Sequence, residues 1–165
     1  RFVRVGRRSF SLRPTWNSHE LMTDADIEDI ARRFIQAWNV GQRHVVDDLA
    51  APDLTVSYTH YPEPYHGPEA FKEVLARTHR FFPDLSIEVH DIVVDDDQAI
   101  VYWLYRGTFQ EGEMFGVAAD GQSVEVTGIT MYEIEDKAVQ REEGIVDNLA
   151  LMHQLGLAVG RPDAE

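Results

Sequence analysis

The sequence has no cysteine, very little lysine and no long apolar run. The absence of cysteine excludes a disulfide scaffold, a thiolate metal site and a cysteine nucleophile. No apolar stretch approaches the roughly 18 residues that a transmembrane helix needs, and the apolar segment of a secretory signal is also missing. We therefore expect a cytoplasmic protein.

Motifs of several enzyme classes are missing as well. No glycine pattern follows a strand in the way that a dinucleotide or phosphate loop requires, and no serine-nucleophile motif is present. The seven histidines lack the spacing of a zinc site. His60 and His66 lie six residues apart across a proline loop, which is weak support for a metal. The sequence therefore predicts neither a metal nor a cofactor, and it leaves acid–base groups inside an apolar cavity as the candidate chemistry.

The charge is negative and unevenly distributed. The 165 residues include 15 basic and 29 acidic side chains. Five arginines and one glutamate lie in residues 1–21, which leaves ten basic against 28 acidic residues, a charge of −18, in residues 22–165. Such a body repels phosphates and anionic lipids, so nucleic acid and membrane surfaces are not expected as partners. The acidity also fits a protein kept soluble at high salt.

The basic segment 1–21 is interpreted as a leader or an upstream segment, because Met22 stands directly before a helix start. A transit peptide is the alternative, since the segment contains arginine and serine and is almost free of acids. Residues 22–160 are predicted to form one domain and residues 161–165 a tail. A chain of this length buries roughly two-thirds of its unfolded surface in a single core.

Three helices are predicted in the first half of the domain. Thr23 and Asp26 form a weaker version of a capping box, and Ile27, Ile30, Ala31, Phe34 and Trp38 follow at helical spacing, with Gly41 as the stop. Val45, Val46 and Leu49 indicate a short second helix. The third begins at Pro68, carries the stripe Phe71, Val74, Leu75, Thr78 and Phe82, and ends at Pro83.

The remainder is predicted to be mostly strand. Alternation indicates strands at 54–60, 85–89, 98–109, 122–135 and 138–146, with turns at 95–97 and 136–137 and a hairpin signal at Asp120-Gly121. Residues 148–155 are predicted to form a terminal helix. Helices followed by a run of hairpins favour an α+β fold with an antiparallel sheet. A long curved sheet with helices on one side encloses a pocket.

Several residues are candidates for the pocket. His60 lies on the apolar face of its strand with Val56 and Tyr58. It is either a strand-end histidine bonded to the loop or a pocket donor. Aromatic residues such as Trp38, Trp103 and Tyr105 are more often part of a core or a cavity wall than a platform on which a ligand stacks. The predicted substrate-binding wall consists of Trp38, Tyr58, Trp103, Tyr105, Met131 and Glu143.

Asp147 lies where the last strand meets the last helix. Position alone favours a capping role, because an aspartate there accepts backbone N–H bonds. A carboxylate at the rim of a cavity can also act as a general base. The two roles are compatible.

Three segments resemble the SnoaL-like polyketide cyclase family, also called ester cyclases, of the nuclear transport factor 2-like superfamily. They are Phe81-Phe82-Pro83-Asp84-Leu85, Arg106-Gly107-Thr108, and the run from Asp147 to Gly156 (DNLALMHQLG). The resemblance extends over about residues 23–158. It implies a cone-shaped α+β barrel, in which a strongly curved mixed sheet is closed by helices around a deep apolar pocket.

The resemblance also implies an activity. Characterised members close a ring by intramolecular aldol condensation without cofactor or metal, and their acid–base aspartate falls at Asp147. Two positions depart from the family, with Phe109 in place of histidine and Glu143 in place of tryptophan, and these departures leave both the substrate and the reaction open. A homodimer or higher homo-oligomer is expected too, because an open sheet needs its outer face covered.

The sequence is therefore interpreted as a cofactor-free cyclase acting on a polyketide-like or β-keto ester substrate. Asp147 is the expected acid–base residue, and His60 is the expected donor to the enolate oxygen. One alternative is an isomerase or small-molecule hydrolase that uses the same carboxylate. Another is a protein that binds an apolar small molecule without catalysis.

Overall fold

The computed structural model describes residues 22–157, so the predicted leader and tail lie outside the described residues. Its elements run α1 (Asp24–Phe34), a 3-10 turn (Ile35–Trp38), α2 (Val45–Leu49), β1 (Ala50–Tyr58), β2 (Tyr65–His66), α3 (Pro68–Phe81), β3 (Ser86–Asp95), β4 (Gln98–Phe109), β5 (Glu113–Met114), β6 (Val117–Ala118), β7 (Gln122–Glu135), β8 (Ala138–Val146) and α4 (Asn148–Gln154). Within this range, no helix has the length and apolarity to span a bilayer.

Local sequence signals explain the helix boundaries. The Thr23 hydroxyl accepts from the Asp26 N–H at 3.2 Å, and the Asp26 carboxylate accepts from the Thr23 N–H at 2.9 Å, which confirms the capping box. Pro68 occupies the first turn of α3, where its missing N–H costs nothing. The predicted helices are therefore confirmed, with the end of the first tightened into a 3-10 turn.

Six strands form one mixed sheet in the order β2-β1-β8-β7-β4-β3. The α+β class and the mixed sheet are confirmed, whereas the antiparallel pairing expected from hairpins alone is wrong at one place: β1 and β8 run parallel. The order has two ends, so the sheet is open. Helix α1 contacts β3, β4, β7 and β8, while α3 contacts β1 and β2. These helices cover the inner face.

Two details of the chain path differ from expectation. His60 lies in a turn beyond the end of β1 rather than within the strand. The Asp120-Gly121 pair is not the turn of a two-residue hairpin, because β4 and β7 are joined by a longer excursion that contains the small β5–β6 hairpin. The tight turn of that hairpin is at Phe115 and Gly116, both with positive φ.

Two glycines let large aromatic rings lie close to the inner face of the sheet. A Cβ added at Gly144 would lie 1.9 Å from the Tyr58 ring, and one at Gly128 would lie 2.3 Å from the Trp103 ring. Any other residue at these positions would displace a ring that forms the cavity wall. The sheet is thus shaped for the site by its small residues.

Candidate functional site

A cavity of about 150 Å³ lies on the inner face of the sheet, at the junction of two hydrophobic clusters. The larger cluster contributes Trp38, Tyr58 and Trp103, and the smaller one contributes Phe82, Leu85 and Leu151. No Asp, Glu, Lys or Arg is among the described residues that line it. The walls are therefore apolar and aromatic, as in most small-molecule sites.

Behind this wall lies a buried carboxyl group, Glu142, whose side chain is fully shielded from solvent. Its Oε1 accepts hydrogen bonds from the Tyr58 hydroxyl at 2.6 Å and from Trp38 Nε1 at 3.0 Å. The neighbouring Thr130 hydroxyl accepts from Trp103 Nε1 at 2.9 Å and lies 3.3 Å from the Tyr58 oxygen. Glu142 and Thr130 together fix three wall residues by their polar ends.

Burial raises the pKa of Glu142 from its ordinary 4.5 to about 7, and the hydrogen bonds from Tyr58 and Trp38 oppose the rise. Its second oxygen, Oε2, and the Tyr132 hydroxyl have no hydrogen-bond partner among the described residues. Burial also raises the pKa of Tyr58 well above its ordinary range, and the Glu142 carboxyl adds to the effect. Hydrogen bonds have the opposite effect on three exposed carboxyl groups, because they lower the pKa values of Asp26, Asp84 and Glu88.

Sequence reasoning missed Glu142. Its face becomes clear only in the structure, where Glu142 lies two residues before Gly144 on the strand face that packs against Tyr58. The prediction instead selected the neighbouring Glu143.

His60 lies at the mouth of the cavity and lines it. Its ring packs edge-on against Tyr61 with centroids 4.5 Å apart. Burial lowers the pKa of His60, so the imidazole is neutral at pH 7. A neutral imidazole in this position can donate one hydrogen bond and accept another.

Asp147 is exposed and is the N-cap of α4, where its Oδ1 accepts from the Ala150 N–H at 2.9 Å. It is absent from the described cavity lining, although its neighbour Val146 belongs to it. The parallel pairing of β1 and β8 carries His60 and Asp147 to the same end of the sheet, where the Asn148 side chain donates to Thr59 at 3.4 Å. The cap uses one carboxylate oxygen, Oδ1, and the other oxygen has no part in it.

The structure separates the other predicted site residues into two groups. Trp38, Tyr58, Trp103 and Tyr105 line the cavity together with His60. Met131 and Glu143 are cross-strand partners on the opposite, outer face of the sheet. Neither lines the cavity, because the two-residue period of β7 and β8 points them away from it.

The side-chain amide of Gln154 holds helix α4 against strand β7. Gln154 Oε1 accepts from the Glu125 N–H at 2.6 Å, and its Nε2 donates to the Glu125 carbonyl at 2.8 Å. This two-point contact imitates strand pairing and satisfies an edge of β7. It holds α4 so that Leu151 lies in the cavity wall.

One acidic group could bind a cation. Carboxylate oxygens of Asp97, Glu133 and Glu135 lie within 4.8 Å of one another at the far end of the β7–β8 hairpin. Glu133 already pairs with Arg141. This group is outside the cavity lining and has no part in the site.

The comparisons agree with this fold. The model of the SnoaL-like polyketide cyclase family matches residues 28–155. The structure of TsrD from Streptomyces laurentii superposes with a TM-score of 0.72 at 26% identity, over 82% of this chain and 98% of that one. The structure of IdmH from Streptomyces antibioticus, a candidate polyketide cyclase, superposes with a TM-score of 0.67 at 28% identity, over 79% of this chain and 99% of that one.

A third structure supports the fold alone. A candidate SnoaL-like polyketide cyclase from Jannaschia sp. CCS1 superposes with a TM-score of 0.70 at 24% identity, over 86% of this chain and 97% of that one. The search among curated proteins found no match. The family model covers most of the described chain, and the chain belongs to the SnoaL-like polyketide cyclase family.

Proposed function

We propose that this protein is a cofactor-free cyclase that closes a ring in a polyketide-like or β-keto ester substrate by intramolecular aldol condensation. The observation that carries the proposal is the aromatic cavity, with His60 in its lining and the carboxylate of Asp147 outside the lining but at the same end of the sheet. A cavity of this kind holds the two reacting carbons of a folded substrate close together, which lowers the entropic part of the barrier.

The proposed reaction combines proton transfer with the formation of one carbon–carbon bond inside the same substrate molecule. Asp147 removes a proton from a carbon flanked by two carbonyl groups, and His60 donates a hydrogen bond to the enolate oxygen that forms. The enolate carbon attacks the second carbonyl, a carbon–carbon bond forms, and the resulting alkoxide takes the proton back from Asp147. No electron acceptor or metal enters this balance.

Glu142 has a positioning role in this scheme. It does not line the cavity, but it holds Tyr58 and Trp38, which do. Removing its carboxyl group would deprive the Tyr58 hydroxyl and Trp38 Nε1 of the hydrogen-bond acceptor that fixes their rings in the wall. We expect this loss to raise KM more than it lowers kcat, because wall residues bind substrate and transition state alike.

The test is turnover of a β-keto ester by the wild type and three variants. Asp147→Asn keeps the cap and removes the base, so turnover should fall by roughly 10²–10⁴-fold. His60→Gln should lower kcat by a smaller factor, because Gln still offers an N–H donor. Glu143→Gln, on the outer face, is the matched carboxylate control and should behave as the wild type. Near-wild-type turnover by Asp147→Asn would remove Asp147 from the mechanism.

A second candidate is a protein that sequesters an apolar small molecule. The exposed position of Asp147, outside the cavity lining, favours it. An isomerase or hydrolase using the same carboxylate is the other enzymatic reading. Binding without turnover of any carbonyl substrate, unchanged in Asp147→Asn, would establish the sequestering protein.

We also propose that a second copy of the chain covers the outer face of the sheet. Exposed apolar side chains lie next to each other there by strand register, with Tyr102 beside Ile129 and Ile129 beside Ile145. The exposed Ile100 lies beside the half-buried Met131. A contiguous apolar surface of this kind marks an interaction site. A twofold dimer is the commonest closed assembly that would bury it.

A further inference from the structure

The cavity is small for a ligand-binding site. Its volume of about 150 Å³ equals that of an engineered apolar cavity known to admit one benzene molecule, at about 150 Å³. Sites for drug-sized molecules span roughly 300–1,000 Å³. One six-membered ring with a short substituent therefore fills the cavity, and a second fused ring exceeds it.

The polar ends of the largest wall residues are turned away from the cavity. Trp38 Nε1 and the Tyr58 hydroxyl donate to Glu142, and Trp103 Nε1 donates to Thr130. These three residues therefore present ring faces and carbon edges to a ligand. Such surfaces favour a flat, apolar ring.

The remaining polar groups of the lining are neutral. Burial lowers the pKa of His60 and raises the pKa of Tyr61 and Tyr105 above their ordinary range, so all three are uncharged at pH 7. They can bind a carbonyl or hydroxyl oxygen but cannot neutralise a charge. No cationic side chain is among the described residues of the lining, and the acidic body adds repulsion for anions.

We propose that the cavity takes a single uncharged six-membered ring bearing a carbonyl oxygen, or the open-chain precursor that folds into one, and binds fused polycycles and carboxylates poorly. This inference rests on the proposed function, because it treats the cavity ligand as the substrate. Two residues set the size limit. Leu85 lines the inner wall, and Met114 lines the mouth from the β5–β6 hairpin.

Binding of four aryl probes tests the proposal without any turnover. Acetophenone is a neutral ring with one carbonyl, 1-acetonaphthone adds one fused ring, and 2-acetylanthracene adds two. Benzoate has nearly the size of acetophenone but carries a negative charge. Ligand-observed NMR titrations of the wild type should give the tightest binding for acetophenone. Both 1-acetonaphthone and benzoate should bind at least about tenfold more weakly, and 2-acetylanthracene should not bind.

Two truncations and one control test the size limit. Leu85→Ala and Met114→Ala each enlarge the cavity, so each should raise the affinity for 1-acetonaphthone several-fold. Met114 lies in a surface hairpin, so its variant tests the limit even if Leu85→Ala fails to fold. Leu149→Ala removes an exposed leucine outside the lining and should change nothing.

The outcomes separate the ligand class from the reaction. Equal wild-type affinity for acetophenone and 1-acetonaphthone would overturn the single-ring limit, as would an unchanged 1-acetonaphthone affinity in Met114→Ala. Equal affinity for benzoate would overturn the requirement for a neutral ligand, and absence of acetophenone binding would overturn the proposal altogether. If the expected ranking is found but no β-keto ester is turned over, the ligand class stands and the cyclase function fails.

Discussion

Replacing the buried Glu142 by glutamine should make the protein more stable than the wild type at alkaline pH. The folded environment raises the pKa of this carboxyl group from 4.5 to about 7. Below pH 4.5 the group is protonated in both the folded and the unfolded state. As the pH rises from 4.5 to 7, the unfolded chain loses the proton and the folded protein keeps it, so the free energy of unfolding falls.

The magnitude follows from the size of the pKa change. About 2.5 pH units at about 1.4 kcal/mol per unit amount to about 3 kcal/mol, lost between pH 4.5 and pH 7. Glutamine has nearly the same shape and does not ionise. Its side-chain oxygen can still accept from Tyr58 and Trp38, and its amide takes the place of the protonated oxygen. We therefore expect nearly equal stability at pH 4 and an advantage of up to about 3 kcal/mol for the variant at pH 8.

The assay is urea unfolding of the wild type and Glu142→Gln at half-unit steps from pH 4 to pH 8.5. Every other titrating group is shared, so the difference between the two curves isolates Glu142. Glu143→Gln serves as the matched control, because Glu143 is the next residue but lies exposed beside Arg141. Parallel stability curves for the wild type and Glu142→Gln would refute the argument that this carboxyl group is desolvated in the folded state.

Three further outcomes are expected. Asp147→Ala should lower the free energy of unfolding by about 0.5–2 kcal/mol in chemical denaturation, while Asp147→Asn should leave it unchanged, because asparagine also caps helices. If the proposed outer-face dimer forms, light scattering should show it for the wild type, and Ile129→Glu should give a monomer of about 19 kDa, given a chain mass of 18.9 kDa. A wild-type monomer, or a dimer that persists in Ile129→Glu, would contradict the outer-face assembly. The melting temperature should rise from low to molar NaCl, because salt screens the self-repulsion of the acidic body, and a flat series would remove that repulsion as a factor.

Signals that act within a few residues predicted the elements well. The strand over residues 98–109 matches β4, and the turn at Asp136-Lys137 separates β7 and β8 as expected. Both turn residues adopt positive φ, the conformation that a tight hairpin requires. Period-two alternation and turn residues are local properties of the sequence, so strands and turns can be predicted from them without knowledge of the fold.

Pairing between distant segments could not be predicted in the same way. The parallel contact of β1 with β8 joins residues more than eighty positions apart, and no turn residue marks it. That contact brings His60 and Asp147 to one end of the sheet. The cavity therefore depends on a pairing that hairpin signals do not reveal, and the family resemblance implies only that the sheet is mixed.

The most consequential miss concerns two neighbouring glutamates and one extra residue. In the β7–β8 ladder, Ile134 pairs with Val139 and Glu133 pairs with Arg141, so Gln140 is an insertion in β8. Counting by twos from the buried Val139 would place Glu143 inside. The bulge reverses the phase, so Glu142 enters the interior and Glu143 stays in solvent. The carboxyl group that holds the cavity wall is thus selected by an irregularity in the backbone, which period-two patterning alone cannot detect.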